Sequence, residues 1–345
     1  MKSARAFGRL ISFGPLAFIV FLGPWLGAYS SSPTLSVLAA TMGALGILST
    51  KRRLAAGPHS RVKSAAAVLE NMTYMMLVGL APLLGGLVLH ESSLNQVKPP
   101  LSLVTCTLIV VAVGLALANL PKAWTQALIP ILGIAAASVV SALCVYLIVR
   151  GEFLPSSLAT FLHPRGRLDG ASVLRGAGIV MVCFLYLVRL PVAAGSVTVD
   201  AARRIRPALA AAGLVMVLVT YTQTLGSDGT SFAPAQLINV AARYGGAGLQ
   251  KLTEAALLVL LVCFVAQGAE IGAGMRRQMG ATHKAAVVVS LLPVAAIILA
   301  RGSDPLNTVL AFLEAGVSLA CVAWLAYSVL AIQEVSSAGE PWYEF

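Results

Sequence analysis

Residues 184–195 read FLYLVRLPVAAG. An arginine stands two places before a proline inside a run that is otherwise apolar. A guanidinium at the centre of a membrane helix costs ~2.5–3.5 kcal/mol on insertion scales. Proline withdraws a backbone donor and clashes with the preceding turn. One apolar run carries both only if it faces a polar interior or ends there. Which applies depends on the solvent of the whole chain.

That solvent is lipid. The chain has 345 residues, 58% of them hydrophobic and only 11% charged, where a soluble domain carries about 25% charged residues. Its mean hydropathy is +0.88. Apolar stretches long enough to span a bilayer recur along it, so the expected class is an all-α polytopic membrane protein. The runs are continuously apolar and do not alternate, which excludes a transmembrane β-barrel. The net charge of +11 sits between apolar runs, as membrane-flanking charge does, and does not indicate a nucleic-acid partner. Cys106, Cys144, Cys183, Cys263 and Cys321 lie inside apolar runs without CxxC spacing, so they read as small core residues. His59, His90, His163 and His283 are far apart; neither a metal site nor a cofactor is expected. No nucleophile elbow, HExxH or P-loop spacing occurs, and no enzyme is expected. The N-terminus has a basic start, an apolar stretch and a small-residue end, like a signal peptide. Its apolar part runs from Leu10 to Tyr29, long enough to span, and is read as the first span.

Ten apolar segments follow: 10–30, 34–50, 66–90, 101–119, 124–149, 172–192, 208–226, 253–275, 285–300 and 306–332. With the N-terminus in the cytoplasm, Lys2, Arg5 and Arg9, the cluster Lys51–Lys63, Lys122, Arg203–Arg206, and Arg276, Arg277 and Lys284 all fall inside. Fewer basic residues fall outside, so the positive-inside rule favours this orientation. Ten spans put both termini in the cytoplasm, and the expected location is the cell (inner) membrane.

Five spans in each half make the second half enter the membrane from the opposite side, an inverted repeat of the kind secondary transporters use. The expected organisation is a first repeat over 1–150, a connecting loop over 151–171, a second repeat over 172–333 and a cytoplasmic tail over 334–345. The stretch SFAPAQLINVAARYGGAG (231–248) predicts a short helix with Pro234 in its first turn, ended at Gly245-Gly246.

Several stretches resemble the amino acid–polyamine–organocation (APC) transporter superfamily. In TVDAARRIRPALAAAG (198–213), Asp200, Arg203, Arg204 and Pro207 take the places of that family's acidic and basic residues and the proline opening helix seven. AEIGAGMRRQMGATHKAA (269–286) is similar to the end of its helix eight, and LNTVLAFLEAGVSLACVAWLAYSVLAI (306–332) to its helix ten. The glycine-rich signature of helix one is reduced here to ISFGPLAF (11–18). The resemblance implies a divergent member: a bundle with helices one and six broken at the bilayer midplane, a substrate between them, and alternating access.

Gly14-Pro15 and Gly23-Pro24 are both able to break helix one. A break at Gly23 leaves a second half of about seven residues, roughly 10 Å, so the break is placed at Ser12, Phe13, Gly14 and Pro15. Free N–H groups there favour an anionic group such as a carboxylate. The family's spacing, counted back from Pro207, puts Val188-Arg189 where helix six unwinds, with Pro191 as a cause. Tyr186, Arg189 and Pro191 are therefore expected at the substrate site; the alternative is that helix six ends early and Arg189 snorkels. Glu314, near the middle of the last span, and Glu270, with Gln267 near the inner end of the eighth, are the candidate proton carriers. Glu70 reads as interfacial. The eighth span lacks Ser and Thr between Leu257 and Gly274, which disfavours sodium as the coupling ion. The expected function is a permease for an amino acid or a similar small organic solute, with the lipid bilayer as its surroundings. The alternative is a receptor-like or scaffold subunit of a larger complex with the same architecture.

Overall fold

A computed structural model describes residues 15–56, 80–92, 101–152, 154–155, 162, 168–193, 199–226 and 236–279, with scattered helical positions between 318 and 333. The described residues form helices and no strands. They are α1 (Pro15–Tyr29), α2 (Pro33–Ala56), α3 (Leu80–Glu91), α4 (Leu103–Ala118), α5 (Lys122–Arg150), α6 (Gly170–Ala193), α7 (Val199–Gly226) and α8 (Gln236–Met279). The ninth expected span, 285–300, lies outside the described residues. In the tenth, Val322, Leu325, Val329 and Ile332 are helical and exposed, one face at helical spacing.

The outer face shows what surrounds the molecule. Leu108, Ile109 and Val113 of α4 are exposed, as are Ile131, Val145 and Val149 of α5. No charged residue occurs between Leu103 and Asn119 or between Ala123 and Val149. So broad an uncharged apolar face is not tolerated in water but is what lipid requires. The chain is a multi-pass membrane protein. Trp124 and Tyr146 also stand exposed, near the two ends of α5. The opposite faces of α4 and α5 pack on α8. Gly114 permits the contact: a Cβ there would meet Val265 at 2.6 Å. Such small-residue contacts bring membrane helices together where no water drives them.

At the centre, α1, α2, α6 and α7 pack as a set. The main contacts within it are α1–α6, α2–α7, α1–α7 and α2–α6. Hydrogen bonds fix two directions. The C-terminal end of α1 meets the start of α6, with Ser31 N donating to Ser172 Oγ at 3.0 Å and Asp169 N donating to Ser31 Oγ at 3.0 Å. These helices therefore run antiparallel. Arg206, early in α7, donates to Ser49, late in α2, at 2.9 Å, while Gly213 faces Thr41; α2 and α7 are antiparallel too. Exchanging α1 with α6 and α2 with α7 leaves this set of contacts unchanged.

Three expectations change. The basic stretch is helix over 199–207: α7 begins at Val199 and carries Pro207 in its interior, so the proline does not open it. A proline is tolerated within membrane helices because neighbouring groups re-satisfy the freed carbonyl. The expected unwinding at Val188-Arg189 is absent: α6 stays helical through Arg189 and Pro191 to Ala193. Pro191 falls in the last turn, where the helix ends two residues later. Finally, α2 extends past residue 50 to Ala56 and takes Lys51, Arg52 and Arg53 into its last turns. The short helix before the eighth span is present, running from Gln236. It stops where expected, at Gly246, whose φ of 75° suits glycine alone; Pro234 lies outside the described residues.

Candidate functional site

The centre of the bundle contains a polar seam between α1 and α7. Its cause is Pro24. In a helix the carbonyl of Val20 would accept from the N–H of residue 24, and proline has none. α1 nevertheless stays helical from Pro15 to Tyr29, because a donor arrives from elsewhere. Gln223 Nε2 of α7 donates to Val20 O at 2.9 Å. Gly23 makes room: a Cβ there would stand 2.5 Å from Gln223 Oε1. Val20 lies ten residues before Ser30, about 15 Å along α1, half the depth of a hydrocarbon core of about 30 Å.

Gln223 is 1% exposed and Thr220, one turn earlier on the same face, also 1%. Among the described residues neither Gln223 Oε1 nor Thr220 Oγ1 has a hydrogen-bond partner. The seam therefore presents a bonded amide N–H₂ beside two buried acceptors without donors. Next to it, Phe18 of α1 meets Phe264 of α8 edge to face, with centroids 5.3 Å apart and planes at 75°. Gln267, one turn beyond Phe264, is buried as well.

A second polar group sits in α8, where the buried carboxylate Glu254 accepts from Gln250 Nε2 at 3.0 Å. A third closes the end of the bundle where α1 stops and α6 starts. Ser36 Oγ donates to Val173 O at 2.9 Å and lies 2.7 Å from Ser30 Oγ. Thr34 Oγ1 donates to Leu162 O at 3.0 Å, and Ser32 Oγ donates to the same carbonyl. Asp169 takes the N–H groups of Ala171 and Ser172 at 3.2 and 3.1 Å, capping α6.

Of the expected site residues, Ser12, Phe13, Gly14 and Glu314 lie outside the described residues, and Pro15 opens α1. Tyr186, Arg189 and Pro191 are on unbroken α6, and Glu270 is within α8. The antiparallel register brings two of the expected groups to one level. Ser31 pairs with Ser172, so Pro15, sixteen residues back along α1, is level with Val188, sixteen residues on along α6. Arg189 is nineteen residues from Gly170, about 28 Å along α6, close to the helix's C-terminal end. The reading of the sequence passed over Thr220, Gln223 and Glu254. A signal existed: TYTQT (220–224) puts five hydrogen-bonding side chains in succession inside an apolar span.

No family model matches the chain, and no curated protein matches it. Solved structures similar to it include the manganese transporter of Eremococcus coleocola in complex with an aromatic bis-isothiourea substituted compound. That match has 13% identity and a TM-score of 0.46, covering 95% of this chain and 73% of the other. A mutant of the same transporter gives 12% identity and a TM-score of 0.47, with the same coverage.

Proposed function

We propose that the chain is a secondary transporter that moves an amino acid or similar small organic solute through the cell membrane by alternating access, with protons as the coupling ion. The observation that carries this reading is the central set α1, α2, α6 and α7, whose contacts are unchanged when the halves are exchanged and which encloses a polar seam at mid-depth. An inverted repeat over 1–150 and 172–333, joined by 151–171, supplies two alternative arrangements of equal architecture. The solute path runs from the seam toward the inner side, past Pro15 and the level of Tyr186–Pro191. Ser12–Pro15 and Arg189 bind an anionic group of the solute there. Glu270 and Glu314 carry the proton.

The manganese transporters that resemble the chain make manganese the rival cargo. The seam offers an amide, a hydroxyl and a peptide carbonyl, which hydrogen-bond the polar groups of an organic solute. The test is thermal unfolding of the purified protein with amino acids, polyamines or manganese chloride, followed by uptake into proteoliposomes under a proton gradient. Stabilisation and uptake of an amino acid or polyamine are expected. Stabilisation by manganese alone would replace the cargo, and binding without uptake would favour the receptor-like alternative.

A further inference from the structure

Most of the polar contacts in the bundle's interior add to a helix that is already fully bonded. Thr41, Thr107, Ser141, Thr222 and Thr253 each donate to the carbonyl four residues back on their own helix. The contact between Gln223 and Val20 differs. It replaces a backbone bond that Pro24 abolishes, and it comes from another helix, 203 residues away.

We infer that α1 has its hinge at Val20–Pro24 and that Gln223 of α7 is the positioning residue that latches it. Three features combine. Pro24 removes the one bond that would stiffen the turn. Gly23 lacks a side chain, so the amide of Gln223 reaches the carbonyl that is left. The latched state also has a built-in cost, because Gln223 Oε1 and Thr220 Oγ1 are buried without donors among the described residues, and water or a solute bearing N–H or O–H groups satisfies them when the seam opens. A bonded closed form and a solvated open form of comparable energy are what a two-state element requires. This deepens the transporter reading by naming its moving part, but the latch is measurable with no solute present, so its failure is distinguishable from failure of that reading.

The experiment is a double-substitution cycle on the full-length protein in detergent or nanodiscs, read by amide hydrogen exchange in peptides covering Gly23–Tyr29, with α6 as the internal reference. Gln223→Met keeps the size of the side chain and removes the donor. It is expected to speed exchange in α1 by about tenfold, the scale of one lost buried hydrogen bond, with α6 unchanged. Pro24→Ala restores the N–H for Val20, so adding Gln223→Met to Pro24→Ala is expected to change exchange by less than about twofold. Equal acceleration by Gln223→Met in the native and the Pro24→Ala backgrounds would overturn the inference, as would no acceleration in Gln223→Met. If Gln223→Met alone does not fold, Pro24→Ala/Gln223→Met must; a double variant that also fails would overturn it equally.

Discussion

Two helix pairs that correspond under exchange of the halves, α2–α6 and α1–α7, use the same chemical device with different consequences. In α6 a valine carbonyl and a glycine three residues later form the contact: Val173 O accepts from Ser36, and Gly176 lies against Ser36 and Ser30. In α1 the same spacing recurs as Val20 and Gly23, with Gln223 as donor. The residue after each glycine separates them. Ala177 has an N–H, so the carbonyl of Val173 keeps a helix donor and the serine bond is supplementary. Pro24 has none, so the glutamine bond is obligatory. One pair is a fixed corner at one end of the bundle, braced by several serines. The other is a single contact at mid-depth. The proposed transport cycle needs both a rigid frame and a part that gives way, and one glycine-centred contact provides either, depending on whether proline follows.

The comparison makes measurable demands. The largest effect is expected from Gln223→Met, which leaves the Val20 carbonyl buried without a donor; thermal or denaturant unfolding in micelles should register about 2 kcal/mol. Next is Gly176→Ala. Its Cβ would meet Ser36 Oγ at 2.3 Å and Ser30 Cβ at 2.8 Å, and short serines cannot swing aside, so α6 must shift, at about 1.5 kcal/mol in the same assay. Ser36→Ala should cost only about 1 kcal/mol, since the carbonyl retains its helix bond. A larger loss for Ser36→Ala than for Gln223→Met would break the comparison. The smallest effect belongs to Arg206→Ala. Arg206 is exposed and bonds a serine hydroxyl, so less than about 0.5 kcal/mol is expected. A separate measurement sharpens the inner path: Arg189→Ala should lower solute uptake while leaving thermal unfolding unchanged. Full uptake with unchanged affinity would remove Arg189 from the site.

Much of the architecture was written in local patterns. Continuous apolar runs set the spans, because lipid permits only closed hydrogen-bonding. The stop at Gly246 was legible because a positive φ there excludes other residues. The start of α7 was not. VDAARRIR is rich in helix formers, but Pro207 suggested a boundary, and only neighbouring packing decides whether a proline ends a membrane helix or sits inside it. The family's spacing, with Pro191 as a cause, likewise implies unwinding at Val188-Arg189, where α6 remains helical. The choice between Gly14-Pro15 and Gly23-Pro24 was also beyond local reading. A length argument pointed to the first pair, yet the second is rescued by Gln223, and no periodicity in α1 announces a donor in another half of the chain.

The exposed rings at the two ends of α5 say how the molecule rides in its solvent. Trp124 and Tyr146 are 22 positions apart, about 33 Å along the axis and within about 40° of one another around it. Indole and phenol rings settle at the headgroup level, so this one helix spans a hydrocarbon slab of about 30 Å with some tilt. Because α5 packs on α8, which in turn touches α1, a thicker or thinner bilayer tilts a lever connected to the core. Acyl-chain length thereby becomes a physical variable able to bias the protein's resting shape.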